Sequence, residues 1–423
     1  MNFIKRQPPG RLIAAGFALV ILAGAALLML PVSVRDGAQV TPIDALFTST
    51  SAVCVTGLIA IDTADHFTVF GRTIVALLIQ VGGLGVTSVG VGFILVAGKR
   101  VGFKSRLLVR EAMNMENGKG IVRLVKSILL MTLCFEGAGA LLSFLVFVQD
   151  HPPLEAIGIS IFHSIAAFNN SGFDILGGLQ NLIPYQNNLL LIIFGGLGFL
   201  VILDILKKRS FRALALHSKV VIVMSAVLIL LGTLLLKATE NVTWLGAFFQ
   251  SVSARTAGFS TYPIGSFTDA GLFVLILLMF VGASPGSTGG GIKTTTLFAL
   301  LQATRSAATG RMPTAFRRTV AGEVVQKAFI VTLLSAFVVC GGTFILCLLE
   351  PDLTFLQLLF EATSAFGTVG LSTGITPQLQ PASKLIVILI MYTGRIGPLT
   401  VASLWAFRTE QHVWYSEETI TIG

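Results

Sequence analysis

The sequence predicts an all-α membrane protein with four parallel helix, pore loop, helix repeats around one central pore: eight transmembrane helices and four re-entrant pore helices. Three observations carry this expectation. The chain is apolar throughout, its basic residues recur in clusters after every second apolar segment, and a short segment with a glycine at a fixed offset occurs four times.

Of the 423 residues, 54% are hydrophobic and 12% are charged, and the mean hydropathy is +0.86. Such a chain has too little polar surface to face water on all sides, and no polar stretch is long enough for a soluble domain. The net charge of +9 does not point to nucleic acid, because the basic residues lie in short clusters between apolar segments and not in a patch interleaved with aromatics. Cys54, Cys134, Cys340 and Cys347 sit in apolar surroundings without the spacing of a disulfide framework or a zinc site.

The clusters are Lys5, Arg6 and Arg11; Lys99, Arg100, Lys104, Arg106 and Arg110; Lys207, Lys208, Arg209 and Arg212; and Arg305, Arg311, Arg317 and Arg318. They mark the cytoplasmic side. Between clusters the chain holds two apolar segments, so each unit leaves and returns to the same side, and from Ser127 to Leu206 there is no Lys or Arg. The paired spans fall near 12–31 and 70–97, 122–148 and 189–206, 219–236 and 271–304, and 325–349 and 384–407. The first, after Lys5 and Arg6, has the look of a signal peptide, but it is long enough to cross a core of roughly 30 Å and the repeat pattern requires it. The expected units are 1–110, 111–215, 216–318 and 319–408, with a cytoplasmic tail over 409–423. Repeats that start and end on one side are related by rotation about the membrane normal, unlike the inverted halves of many carriers.

Between the two spans of each unit lies the recurring segment. Its copies run from Phe47 to Gly57, Phe162 to Gly172, Phe248 to Gly258 and Phe360 to Gly370, each glycine ten residues after the aromatic. The first part of each is rich in Ser, Ala and Thr and can form a half-spanning helix. The glycine part is too short to cross and must turn back, which membrane depth tolerates only where backbone lines a wet passage or is buried in protein. Glycine allows dihedrals closed to other residues and close approach of backbones, so carbonyls from four such turns can replace an ion's water shell.

The loops read VTGL, FNNSGF, SARTAGF and FGTVGLSTG, with GGLG after the first two, GSTGGGIK in the third repeat and GRIGPLT in the fourth. Over essentially the whole chain these motifs resemble the Trk, Ktr and HKT superfamily of potassium transporters. Trk-type members carry a helix pair before the first repeat, whereas here the first repeat is expected to start almost at once, so the Ktr-type membrane subunit is the nearer likeness. The resemblance implies that Gly57, Gly172, Gly258 and Gly370 are selectivity-filter glycines, with Val55, Thr56, Asn170, Ser171, Thr256, Ala257, Thr368 and Val369 adding backbone carbonyls that bind K+. Serine at the first position accompanies sodium permeation in related plant proteins, so Gly57 implies potassium selectivity. The family further implies a homodimer with one pore per protomer in the bacterial cell membrane, and stimulation by Na+ in many members. It also implies a separate KtrA-like cytosolic ring subunit, which binds ATP or ADP and opens the pore. This chain carries no nucleotide fold of its own.

In the third repeat, the run Gly282 to Lys293 cannot stay a regular helix, since glycine and proline are poor interior residues. It includes Ser284, Gly286, Ser287, Thr288, Gly289, Gly290 and Gly291, and family likeness makes it the gate beneath the filter. Pro285 departs from the small residue expected there. The run is not a phosphate loop: Ile292 separates Gly291 from Lys293, and no strand precedes it. Arg395 lies mid-span, where an unpaired charge is costly. Likeness assigns it to the cavity below the filter, opposing cation passage and working with the gate; a structural pairing with carbonyls or a carboxylate is the other reading. Glu136 is expected to pair with a polar neighbour, Arg255 to bond nearby loop carbonyls as a scaffold residue, and His163 to be a hydrogen-bonded structural histidine. By analogy the tail reaches the dimer interface, and the basic loops face the ring subunit.

Two other readings are a sodium-permeable pathway of the same fold and an alternating-access cation carrier. An intramembrane enzyme is excluded by the scatter of His66, His151, His163, His217 and His412, which form no catalytic set.

Overall fold

The computed structural model describes residues 9–98, 101–112, 120–178 and 186–403. The tail, and Lys5, Arg6, Lys99 and Arg100 of the basic clusters, lie outside them.

Each repeat opens on a long apolar helix: Pro9–Leu28, Ile121–Phe147, Leu216–Thr239 and Gly322–Leu349. All four are long and apolar enough to cross a membrane. A shorter pore helix follows, at Pro42–Cys54, Pro153–Phe168, Trp244–Ser253 and Phe355–Gly367. Threonine starts three of these, because its hydroxyl accepts an otherwise unpaired first-turn N–H: Thr41 from Asp44, Thr243 from Gly246, and Thr354 from Gln357 in a full capping box. Pore-helix serines then fasten the pair, with Ser49, Ser164 and Ser251 donating to the carbonyls of Ile21, Glu136 and Ile229 at 2.7–2.8 Å.

A fourfold glycine sets how closely the helices pack. Gly24, Gly139, Gly232 and Gly342 on the long helices face Leu78, Leu191, Leu278 and Ile390 of the second helices, where an added Cβ would collide. The sequence reading missed this repeat.

The second span of each unit is not one helix. The expected 70–97 is Val69–Leu84 and Val86–Val96, bent by 101°, and 189–206 is Leu189–Leu197 and Phe199–Lys208, bent by 93°. In repeat four Pro381–Ile396 breaks before Pro398–Ser403. The breaks fall at Gly85, Gly198 and Gly397, with φ of 84°, 92° and 95°, values that disfavour any residue with a Cβ. Only the third break, between Asp269–Phe280 and Thr294–Thr309, was expected.

Repeat four also meets repeat one. Lys384 pairs with Asp44 at 2.8 Å, both nearly buried, and the Tyr392 hydroxyl donates to the Ala14 carbonyl at 2.7 Å. A two-residue β-ladder, Thr314–Ala315 with Arg318–Thr319, lies between repeats three and four.

Candidate ion pathway

The four glycine turns meet. In each, the residue two before the glycine is left-handed: Val55 (φ 58°), Asn170 (57°), Thr256 (77°) and Thr368 (50°); the glycines follow at 91°, 64°, 80° and 95°. A Cβ on Gly57 would strike the carbonyl of Ser171, on Gly172 that of Ala257, on Gly258 that of Val369, and on Gly370 that of Thr56. Those Cβ positions lie 3.2, 2.8, 3.2 and 3.0 Å from the Cα of the next glycine in the order 57, 172, 258, 370 and back to 57. The turns therefore close a ring in repeat order, and no side chain larger than hydrogen fits at the four positions. All eight flanking residues are fully buried.

Backbone bonds hold the turns to their pore helices. The N–H groups of Thr56, Ser171 and Val369 donate to carbonyls five residues back, of Ser51, Ala166 and Ser364, at 2.8–2.9 Å. The Ser51 and Ser364 hydroxyls accept from Gly57 and Gly370 at 3.0 and 3.1 Å.

Repeat three differs by one residue: Ala257 donates to Ser253, four back. The fully buried ring is accordingly Phe249, while Phe248 is only partly buried. Phe47, Phe162 and Phe360 are buried as counted, so the ten-residue spacing corresponds structurally in three copies and is shortened by one in the third.

Polar side chains tie the segments beyond the ring. Glu361, fully buried, accepts from the hydroxyls of Ser372, at 3.0 Å, and Thr376. Gln250 donates to Ser260 at 2.8 Å. His163 Nε2 accepts from the Ile175 N–H at 3.4 Å, as a structural histidine does. Above the ring is a cavity of about 290 Å³ whose lining includes Gly265, Gly370, Ser372 and Thr376.

On the other side of the ring lies the run Gly282 to Lys293. Gly290 N–H donates to Thr368 Oγ1 at 2.9 Å, and Gly289 packs on the Thr256 side chain with no room for a Cβ. Gly282 lies against Gly290 and Gly291. Ser284 N–H donates to Gly196, and Gly286 accepts from Phe199 at 2.9 Å. Thr288 Oγ1 reaches the carbonyls of Phe168 and Gly195 at 3.4 and 3.3 Å. Lys293 Nζ folds back on the carbonyls of Gly289 and Gly290 at 2.6 and 3.1 Å.

Arg395 donates to the carbonyls of Thr288 and Gly82, and to that of Gly83 at 3.4 Å. Besides bonding these carbonyls, it lines a cavity of about 540 Å³ with Gly83, Ser287, Gly289, Gly291 and Lys293. The loop thus separates the ring from this cavity.

The TrkH family model, described as a cation transport protein, matches residues 13–236 and 218–415. The chain belongs to the TrkH family. Among its relatives the chain is 39% identical to the Ktr system potassium uptake protein B of Bacillus subtilis, across all of this chain and 98% of that protein. It is 37% identical to the potassium/sodium uptake protein NtpJ of Enterococcus hirae, covering 99% and 98%. With the Ktr system potassium uptake protein B of Vibrio alginolyticus the identity is 36%, covering 98% and 94%. The crystal structure of the potassium transporter TrkH from Vibrio parahaemolyticus superposes with a TM-score of 0.74 over 95% of this chain and 86% of that one. At 19% identity that likeness speaks for the fold alone.

Two further residues complete the account of this TrkH-family site. Glu136 has polar neighbours as expected, accepting from Gln80 at 3.2 Å and Asn169 at 2.9 Å. Arg255 does not bond loop carbonyls. Its guanidinium instead donates to the Ser225 carbonyl of the long helix at 3.2 Å, and the side chain is buried. The Asp44–Lys384 pair and the Glu361 anchor were not foreseen, since each joins residues whose proximity depends on ring closure or on the return of the loop.

Proposed function

We propose that this chain is the potassium-selective translocating subunit of a Ktr-type uptake system, with its pore opened by a cytosolic nucleotide-binding ring subunit. The closed ring of four glycine turns is the observation that carries the reading. The residues at 55–57, 170–172, 256–258 and 368–370 would coordinate dehydrated K+ through backbone oxygens, which offsets the loss of its water shell. The run 282–293 is the gate. To open, it must leave Thr368 and Thr256, and its glycines allow the backbone change at low cost. Arg395 and Lys293 hold it closed through its own carbonyls and place positive charge where a cation would leave.

The names of the relatives, potassium uptake in two and potassium/sodium uptake in NtpJ, support K+ as the substrate and leave Na+ as a stimulating or competing ion. The same reading puts both termini and the basic clusters in the cytoplasm, makes the protein a homodimer in the bacterial membrane, keeps ATP or ADP on the partner ring, and retains the repeat boundaries given above.

The test is growth rescue of a potassium-uptake-deficient bacterium, paired with Rb+ and Na+ flux in liposomes. The unchanged chain should rescue and should pass Rb+ over Na+. Gly258→Ser, whose Cβ would meet the Val369 carbonyl, should lower that preference at least tenfold. Equal rescue and equal preference in the variant would remove the filter assignment. A preference for Na+ in the unchanged chain would favour the sodium-permeable reading.

A further inference from the structure

The bend at Gly85 turns Val86–Val96 through 101° relative to Val69–Leu84, so this segment and the helix Ile121–Phe147 form the two sides of a wedge. They touch at Gly92, where a Cβ would lie 3.0 Å from Leu129 Cδ1. Beyond that contact is a cavity of about 900 Å³. Its walls include Leu95, Val96, Val122 and Leu129, and Arg123 and Lys126 also line it. The two basic residues are three apart on one helix and share a face. Both are exposed, and neither pairs with a carboxylate among the described residues. Val96 is 87% exposed, and Leu95, Val122 and Leu129 are partly exposed, so the apolar wall is accessible at this end.

An apolar slot with two cations unpaired among the described residues fits a molecule that is apolar along its body and anionic at one end. We propose that this groove binds an anionic phospholipid, with its phosphate on Arg123 and Lys126 and an acyl chain along Leu95, Val96, Val122 and Leu129. The chain gains little by moving from bulk lipid to an apolar wall, so selection rests on the headgroup. A net negative headgroup satisfies two cations, whereas a zwitterionic one brings its own ammonium. The occupant would brace the segment that follows the Gly82–Gly85 break, whose carbonyls hold Arg395. The site depends on the chain residing in a membrane and not on which cation it carries.

The test uses native mass spectrometry of the full chain in detergent, with phosphatidylglycerol and phosphatidylcholine of identical chains at equal concentration. The unchanged protein should retain phosphatidylglycerol preferentially. Arg123→Gln with Lys126→Gln should lower retention at least fivefold, while Arg311→Gln with Arg318→Gln, the same charge change elsewhere, should leave it within twofold. Val96→Trp keeps both cations and narrows the slot; it should also lower retention, and it provides a variant with native charge if the double one fails to fold.

Unchanged retention after loss of Arg123 and Lys126 would overturn the site, as would an equal loss from the Arg311 and Arg318 control. Displacement of the lipid by millimolar inorganic phosphate, together with full retention by Val96→Trp, would assign the cations to a free anion and overturn the lipid. No preference between the two lipids, with the groove protected instead by an added cytosolic protein, would overturn it in favour of a protein partner.

Discussion

Repeats one, two and four finish their second helix in one way, and repeat three in another. Gly82, Gly195 and Gly394 press directly on the carbonyls of Val53, Phe168 and Phe366, each four residues before a ring glycine. The helix resumes at once, at Val86, Phe199 and Pro398. In repeat three Gly282 presses on Gly290, and the helix resumes only at Thr294. Three repeats therefore use a glycine to brace a pore helix from below, while the third uses the same position to fold a loop under the ring. Its pore turn is also one residue tighter, and in the position of Asn169 it carries Arg255, which points out to Ser225. Fourfold repetition supplies the scaffold, and departure from it in one repeat supplies the loop that the proposed function makes the gate.

The largest expected effect tests this division. Gly394→Val would drive a side chain into the backbone at Phe366. Backbone cannot yield as a flexible side chain can, so the cost should be at the upper end of the roughly 1–3 kcal/mol usual for overpacking, or beyond it. Folded protein in the membrane and Rb+ flux should both fall more than tenfold. Gly282→Ala collides with the loop at Gly290, and should leave the amount of folded protein near normal while raising flux without the ring subunit severalfold. If the two variants lose folded protein equally, Gly282 braces the scaffold as the others do and the contrast fails.

A smaller effect is expected on the far side of the ring from the loop, where repeats three and four differ in their polar ties. Glu361 accepts two hydroxyl bonds where Gln250 gives one. Each such bond contributes about 0.5–1.5 kcal/mol. Glu361→Gln should therefore loosen Ser372 and Thr376 beside Gly370 and lower the Rb+ over Na+ flux ratio about three- to tenfold. Gln250→Ala should lower it less than threefold. The reverse order would show that the neutral tie, and not the carboxylate, holds the outer mouth.

These contrasts mark where the sequence is legible. The ring glycines can be read because backbone geometry forbids a Cβ at all four, and four equal constraints leave a countable spacing. The loop from Gly282 can be read because glycine and proline are dense there. The breaks at Gly85, Gly198 and Gly397 are harder to read, since each glycine costs a helix only about 1 kcal/mol relative to alanine and the apolar run continues past them. Aligning GGLG, GGLG and GRIG by their last glycine is the signal that was available. The shortened third turn was masked by two adjacent phenylalanines, Phe248 and Phe249, either of which satisfies the count. The Asp44–Lys384 pair spans 340 positions, and no local pattern joins its ends.

The finest contrast separates two contacts that the loop makes with the ring. Thr368 Oγ1 accepts the Gly290 N–H at 2.9 Å, whereas Thr256 meets Gly289 by packing, and its hydroxyl has a long 3.4 Å contact with the Asn170 side-chain amide. Valine keeps the shape of threonine and removes the hydroxyl. On the proposed reading, Thr368→Val leaves a buried N–H without its acceptor only while the loop is closed, so the closed state loses at least about 1 kcal/mol. At about 1.4 kcal/mol per tenfold, basal Rb+ flux without the ring subunit should rise at least about fivefold. Thr256→Val should change it less than twofold, because packing survives the exchange. Liposome flux at fixed protein amount reads both, and an equal rise in the two would mean that the loop is held by shape alone, with no contribution from the bond at Thr368.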